Sequence, residues 1–277
     1  MQSVWREPSR VILVHLVLIL FALIVLIPLY WMLQAAFGTN EEVLATPVTW
    51  WPRSVHLENF SQGLTTNPFG RYFLNSFVVA GAVTLTTVAT SALAGYGFAK
   101  FRFPLRGLLF GVVLASMMVP FQAIMIPLFV LVRQLGWIST YTGLIVPGAV
   151  SGFGIFLIRQ FMLRLPDELL ASARIDGCNE WQVFVRVVLP LSGAPLASLA
   201  VLTFLASWNN FLWPLIVSQS PSMSTVPLGL AQFRGSYFTN YVQLLAVSLL
   251  ATLPVVALYI AMQRQIVGSF ASSGIKG

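Results

Sequence analysis

Few residues of this 277-residue chain could perform acid–base, nucleophilic or metal chemistry. It holds eight Asp and Glu, two His and one Cys, whereas a conventional active site needs several such groups in one place. A single cysteine, Cys178, allows neither a disulfide within the chain nor a CxxC metal site. Neither Lys100 nor Lys276 ends a GxxxxGK[ST] phosphate-binding loop. The residue types therefore predict that the chain is not an enzyme and binds no metal itself.

The richest polar pattern lies in segment 164–190. Its Pro166 is followed by Asp167 and Glu168, which is typical of a helix start, because proline fixes φ and carboxylates are stabilised near the positive end of the helix dipole. Gly177 can adopt a positive φ and end that helix. We therefore predict a short helix that is followed by a glycine bend.

A second short helix is predicted after the bend. Asn179 and Gln182 have the spacing of a capping pair, in which each side chain bonds the backbone of the other residue. Pro190 predicts a further break, because proline lacks the N–H that a helix interior needs. Two short helices around a bend form a shape that fits a groove on a soluble partner.

The composition decides what surrounds these helices. Hydrophobic residues make up 57% of the chain and charged residues only 8%, with a mean hydropathy of +0.84. A soluble domain carries roughly 25% charged residues, because its surface must be solvated. The chain is therefore predicted to reside in a lipid bilayer, and its net charge of +7 is interpreted as a signal of membrane orientation rather than of nucleic-acid binding.

The apolar runs predict an all-α, polytopic membrane protein. A helix needs about 20 apolar residues to cross the hydrocarbon core, and six such runs occur in what we interpret as one transmembrane domain over 1–277. The first run is too long for the apolar core of a signal peptide. The predicted spans are 11–33, 72–98, 107–132, 141–161, 191–217 and 241–262.

The basic residues predict the orientation of the spans. With six spans, both termini lie on the same side as segment 164–190. That side holds 11 of the 15 Lys and Arg, and the opposite side holds 4. Because cytoplasmic loops carry the excess of positive charge, both termini and segment 164–190 are predicted to be cytoplasmic. The long segment 34–71 is then predicted to be external, where it forms a cap or a docking surface.

Segment 164–190 resembles the EAA loop of bacterial ABC-importer permeases. The resemblance rests on Pro166, Glu168-Leu169, Ala173, Asp176-Gly177, Phe184 and Leu189-Pro190. Two further stretches are similar to the second permease subunit of the binding-protein-dependent sugar importers of the maltose type. They are Ser207-Trp208-Asn209-Asn210-Phe211-Leu212-Trp213-Pro214-Leu215 and the ending Gln263-Arg264 with Ser273-Gly274-Ile275-Lys276-Gly277.

This resemblance implies a heteromeric machine in a prokaryotic cytoplasmic (inner) membrane. A paralogous permease subunit completes the pore as a heterodimer, and two cytoplasmic ATPase subunits bind the loops. An extracellular or periplasmic solute-binding protein delivers the solute, of the oligosaccharide or glycerol-3-phosphate class. ATP and Mg²⁺ are bound by the ATPases, so no cofactor is expected in this chain, which moves the solute by alternating access.

The resemblance also implies which residues couple the loop to the ATPase. They are Glu168, Ala173, Asp176, Gly177 and Phe184. The family's EAA triplet reads Ala171-Ser172-Ala173 here, so its glutamate is absent. Glu168, three residues before Ala171 and on a similar helix face, is a substitute for it.

Polar side chains inside spans predict the substrate pathway, because they cost free energy unless they pair or face water. The residues are Gln122, Trp208, Asn209 and Asn210, with Asn75 and Ser207 as further candidates; interhelical hydrogen bonds are the alternative for each of them.

A secondary carrier or channel that needs no ATPase is the alternative function. Ionisable residues are rare inside the spans, which disfavours a proton-driven carrier.

Overall fold

The computed structural model describes residues 8–233 and 240–274, with side chains for 11–233 and 240–263. The described residues form helices joined by short turns, and no strand occurs among them. They belong to two compact units, one of residues 1–67 with 232–252 and the other of residues 68–231 with 253–277. The helical fold predicted from the composition is confirmed.

The first unit contains a long apolar helix and a small polar segment. Its helices are α1 (Pro8–Phe37), α2 (Asn40–Leu44), α3 (Glu58–Thr66) and the first part of α15 (Tyr241–Gly274). A capping box between Thr39 and Glu42 starts α2, and the Oε1 atom of Glu42 accepts a hydrogen bond from the backbone N–H of Arg53 at 2.9 Å. Trp51 remains 76% exposed, so the predicted external segment carries apolar surface.

The second unit contains the remaining helices. In chain order they are α4 (Phe69–Lys100), α5 (Arg106–Met118), α6 (Phe121–Gln134), α7 (Tyr141–Ile145), α8 (Gly152–Met162), α9 (Asp167–Ile175), α10 (Glu180–Val183), α11 (Leu189–Leu191), α12 (Gly193–Trp208), α13 (Leu212–Val217) and α14 (Val226–Gln232). A π-helical turn, Phe184–Val188, joins α10 to α11. Helix α4 packs along α8 and α12 to form the core of this unit.

Three helices are long and apolar enough to cross a membrane: Val11–Phe37, Phe69–Lys100 and Tyr241–Gln263. Three further spans exist if each bent pair of helices counts as one. These pairs are Arg106–Met118 with Phe121–Gln134, Tyr141–Gly148 with Gly152–Met162, and Glu180–Leu191 with Gly193–Trp208, bent by 100°, 42° and 75° respectively. By length and composition, the described helices therefore give three spans, or up to six if each bent pair is one span; the last pair begins before the predicted span 191–217 and ends within it.

Three predicted spans are interrupted: 141–161 is broken between Gly148 and Gly152, and the breaks in two others have a local cause. The run 107–132 is interrupted at Val119, because a residue before proline disfavours the helical region, and Val119 is extended with ψ 115° before Pro120. The run 191–217 is interrupted after Asn209, whose side chain donates a hydrogen bond to the carbonyl of Leu205 at 3.0 Å. Such a bond gives the backbone an alternative to the helix.

Small residues let α4 and α8 approach closely. A Cβ atom on Gly95 of α4 would lie 2.9 Å from Cγ2 of Ile158 and 3.1 Å from the backbone nitrogen of Arg159. Likewise, a Cβ atom on Gly154 of α8 would collide with the hydroxyl of Ser91 on α4. Close approach through glycine and serine is the usual way in which membrane helices pack.

Candidate functional site

The segment 164–190 forms the predicted pair of short helices. Helix α9 covers Asp167–Ile175, and α10 begins at Glu180. The predicted capping pair is present: the backbone N–H of Gln182 donates to Oδ1 of Asn179 at 2.9 Å, and the N–H of Asn179 donates to Oε1 of Gln182 at 2.9 Å. The two helices are hereafter called the loop helices.

The bend between the loop helices is closed by hydrogen bonds. Gly177 has φ +85°, the N–H of Cys178 donates to the carbonyl of Ala173 at 3.0 Å, and the N–H of Gly177 donates to that of Arg174 at 3.0 Å. This is the Schellman arrangement that ends many helices. A Cβ atom on Gly177 would meet nothing within 4 Å, so a substitution there strains the backbone without a clash inside the chain.

An ion pair crosses this bend. Nε and Nη2 of Arg174 donate to the two carboxylate oxygens of Glu180 at 2.7 Å and 3.2 Å, and the hydroxyl of Tyr96 on α4 donates to Oε2 of Glu180 at 3.2 Å. The hydrogen bond from Arg174 lowers the pKa of Glu180, and Glu180 in turn raises the pKa of Arg174. Because both side chains are partly exposed, the pair contributes roughly 0–1 kcal/mol, and its effect is mainly to orient the loop helices.

Lys100 fixes the beginning of α9 to the end of α4. Its Nζ donates to the carbonyl of Leu165 at 2.7 Å and to Oδ1 of Asp167 at 2.6 Å, while its side chain is only 7% exposed. The hydrogen bond from Lys100 lowers the pKa of Asp167. No sequence signal links Lys100 to Asp167, because the two residues lie 67 positions apart.

The apolar side of the loop helices packs on the second unit. Leu170, Ala173 and Phe184 belong to one buried cluster with Tyr96 of α4 and Ile158 of α8. The rings of Phe184 and Tyr96 lie 5.3 Å apart. Two of the predicted coupling residues, Ala173 and Phe184, are therefore buried and hold the loop helices in place.

The other side of the loop helices is open. Glu168, Asp176 and Gly177 are exposed, and Ile175 is 86% and Trp181 64% exposed. Large apolar side chains at such exposure, next to charged groups, are typical of a protein-binding surface. The predicted coupling residues thus divide into three that face outward and two that anchor the loop.

A cavity of about 920 Å³ lies elsewhere in the second unit. Three helix interruptions border it, at Val119, at Val150-Ser151 and at Asn210. Irregular backbone within an apolar helix bundle is tolerated where it is buried or lines a water-filled space. Polar groups among the described lining residues are all uncharged: Thr87, Ser116, Ser151, Thr203, Ser207 and Asn210.

Only some of the predicted pathway residues line this cavity. Asn210 and Ser207 line the cavity, whereas Gln122 and Asn209 are exposed and do not line it. The ring of Trp208 is 3% exposed and contacts aromatic neighbours, so it offers no open face to a sugar ring in this conformation. Those neighbours are Phe73, Phe77 and Phe204, with ring centroids 6.3, 4.8 and 5.7 Å away.

Asn75 forms hydrogen bonds within the protein, which was the alternative to a place in the substrate pathway. Its Nδ2 donates to the carbonyls of Ser222 and Ser224 at 2.9 and 2.8 Å, and its Oδ1 accepts from the hydroxyl of Tyr141 at 2.7 Å. The residue is fully buried. Its amide is therefore engaged in hydrogen bonds between elements and is not available to a solute.

Residues 88–269 match the family model described as "Binding-protein-dependent transport system inner membrane component". The chain is 38% identical over 259 residues to the arabinooligosaccharides transport system permease protein AraQ of Halalkalibacterium halodurans, covering 92% of this chain and 93% of the relative. It is 36% identical over 267 residues to the sn-glycerol-3-phosphate transport system permease protein UgpE of Yersinia enterocolitica, covering 94% and 95% respectively.

Solved structures share the fold. One chain of a bacterial ABC transporter involved in the import of the acidic polysaccharide alginate superposes with a TM-score of 0.82 at 21% identity, covering 94% of this chain and 98% of that one. A chain of a bacterial alginate ABC transporter in complex with an alginate pentasaccharide-bound periplasmic protein gives a TM-score of 0.67 at 15% identity, covering 96% and 98%.

Proposed function

The chain belongs to the family of binding-protein-dependent transport system inner membrane components, and we propose on this basis that it is one of two different permease subunits that form the pore of an ATP-driven sugar importer. Its relatives are permease proteins for arabinooligosaccharides and for sn-glycerol-3-phosphate, which supports an oligosaccharide or a related polyhydroxylated solute. The observation that carries the proposal is the pair of loop helices, which is anchored on one side and open on the other.

The partner at the open side is a cytoplasmic ATPase subunit, one for each permease. ATP and Mg²⁺ are held by those ATPases, and this chain supplies no cofactor site of its own. Closure of the ATPases moves the loop helices, and the contacts of Lys100 and Tyr96 carry this movement into α4. Because Val83 and Thr87 of the same helix line the cavity, the movement alters the space that holds the solute, as alternating access requires.

The cavity is proposed to receive the solute in the open pore. Its volume falls in the range of about 300–1,000 Å³ that is typical of small-molecule sites, and its uncharged hydroxyl and amide groups suit a solute rich in hydroxyl groups. A solute-binding protein on the external side delivers the solute, and exposed side chains of the first unit such as Trp51 provide the surface that it contacts.

The test is transport by the complex reconstituted in vesicles. We expect the loaded binding protein to stimulate ATP hydrolysis for one member of a panel of neutral oligosaccharides and sn-glycerol-3-phosphate. Ser207→Leu should fill part of the cavity and lower uptake about tenfold, the factor that ~1.4 kcal/mol of lost contact represents. Asn209→Leu, next to a lining residue but outside the cavity, is the matched control. Uptake without any ATPase subunit would contradict the proposal.

Orientation is a separate prediction. The basic asymmetry predicts that segment 34–71 is external and that the C-terminus is cytoplasmic. In a Cys178→Ser background, Ser54→Cys should react with an impermeant thiol reagent added to spheroplasts, and Ser273→Cys should react only after the membrane is opened. If both cysteines were labelled in closed spheroplasts, the arrangement with six spans and two cytoplasmic termini would be wrong.

A further inference from the structure

Two arginines lie near the turn between α4 and α5, each bonded to a backbone carbonyl close to the end of α4. Arg106 is the first residue of α5, and Arg159 of α8 lies with its Cζ atom 4.0 Å from the centre of the Phe110 ring. Because Arg106 and Phe110 are four residues apart on one helix, they share a face. Arg106 and Arg159 therefore both lie on the side of α5 that carries Phe110. We call Arg106 and Arg159 the arginine pair.

Most hydrogen-bond donors of the arginine pair have no partner among the side chains that the structure describes. A guanidinium group carries five N–H donors. Nε of Arg159 donates to the carbonyl of Phe98 at 3.2 Å, and Nη1 of Arg106 donates to that of Phe101 at 3.0 Å. These bonds go to neutral carbonyl groups and fix the two side chains in place, while the remaining donors are left for a ligand.

No carboxylate neutralises this positive charge among the residues that the structure describes. Two acidic residues of the loop helices have other partners: Asp167 pairs with Lys100, and Glu180 pairs with Arg174. Two cations that lie together without a counter-ion cost free energy. The arrangement is stabilised when a group with negative charge and several acceptor oxygens binds between them, and a phosphate has both properties.

The surface around the arginine pair is apolar and open. Phe103 and the α5 residues Leu108 and Leu109 are exposed, as is Leu105 in the turn. The ring of Phe98 lies 5.9 Å from that of Phe103 and 5.5 Å from that of Phe110, so aromatic side chains border the positive charge. Cationic groups at the end of an apolar helix, flanked by exposed aliphatic and aromatic side chains, correspond to the boundary between headgroups and acyl chains.

We propose that the arginine pair binds the phosphate of an anionic phospholipid of the surrounding leaflet. The guanidinium groups donate to the phosphate oxygens, and the acyl chains lie along the exposed leucines of α5. The lipid thereby holds α5 against α8 close to the loop helices. This site is separate from the solute cavity and from the surface proposed for the ATPase.

The test uses the full-length chain, purified in mild detergent with the subunits that accompany it. Bound phospholipid is measured by native mass spectrometry, and the thermal midpoint is measured with added phosphatidylglycerol or phosphatidylcholine of the same acyl chains. We expect Arg106→Gln and Arg159→Gln each to lower phosphatidylglycerol retention about fivefold, and the double variant to lose the stabilisation by that lipid. Arg186→Gln, at an exposed arginine in the π-helical turn after α10, removes the same charge and should retain the lipid.

Three outcomes would overturn the proposal. Unchanged lipid retention in the double variant would show that the arginine pair is not the site. An equal loss in Arg186→Gln would show only a non-specific effect of net charge. Stabilisation by inorganic phosphate as large as that by phosphatidylglycerol would assign the site to a free anion. Because Arg106→Lys keeps the charge in the turn, it should retain more lipid than Arg106→Gln if the variants fold equally well.

Discussion

Replacement of Gly177 by leucine is expected to leave the permease in the membrane and to lower solute uptake at least about tenfold. A residue with a Cβ atom pays roughly 1–2 kcal/mol in the left-handed region, and Gly177 has φ +85°. This cost is small against the roughly 5–15 kcal/mol that stabilises a folded domain, so the spans should persist. It is nevertheless enough to shift the population of the bend about tenfold, and the new side chain projects toward the proposed ATPase. Uptake, ATPase co-purification and stimulated hydrolysis are the measurements.

The chain contains a matched control for this variant. Gly136 follows α6 with φ +71° and closes its bend with the same two hydrogen bonds as Gly177. The N–H of Gly136 donates to the carbonyl of Arg133, and the N–H of Trp137 donates to the carbonyl of Val132, both at 3.0 Å. A Cβ atom there also meets nothing within 4 Å. Gly136→Leu should therefore cost the same strain and leave coupling intact. If both variants lost uptake equally, or if Gly177→Leu behaved as wild type, the role assigned to the loop helices would be wrong.

Gly95→Leu is expected to prevent accumulation of the folded permease. The first added carbon already lies 2.9 Å from Ile158 and 3.1 Å from the backbone of Arg159, so α4 and α8 must separate to admit it. Overpacking of a core costs typically 1–3 kcal/mol and occasionally more, and here part of the obstacle is backbone, which cannot change rotamer. Loss of the full-length protein from the membrane fraction, or a monodisperse peak reduced about tenfold after extraction, is the readout.

Gly97 provides the comparison for Gly95 on the same helix. It lies two residues further along α4, and a Cβ atom there meets nothing within 4 Å. Gly97→Leu should therefore accumulate as the wild type does, with the same change in side-chain volume and helix propensity. Equal accumulation of the two variants would show that the close approach of α4 and α8 is not required for the fold.

The loop helices could be predicted from the sequence because their signals are local. A helix start at Pro166, a glycine bend at Gly177 and a capping pair at Asn179 each act within a few residues, and the structure contains all three. The buried or exposed state of the coupling residues was not predictable in the same way. It depends on which side of α9 meets α4 and α8, and α4 is distant in the sequence.

The contacts that fix the loop could not be predicted. Lys100 meets Asp167 and Tyr96 meets Glu180 only because the spans between them return the chain to the same place. Helix interruptions were also missed, and proline does not reveal them on its own: Pro120 ends one helix, whereas Pro127 lies inside α6. Apolar length predicts that a segment enters the membrane, but it does not distinguish a straight helix from a bent one.

The closed bend between the loop helices has a mechanical consequence. Its N–H groups are bonded and the Arg174–Glu180 pair bridges it, so we expect the two helices to move together as one lever. Flexing must then occur at the ends of this lever. We expect one such pivot at the 75° bend before Gly193, where the buried hydroxyl of Ser192 has no hydrogen-bond partner among the described residues. In the proposed importer, movement of the ATPase is therefore expected to tilt α12 as well as to move α4, rather than to bend the loop.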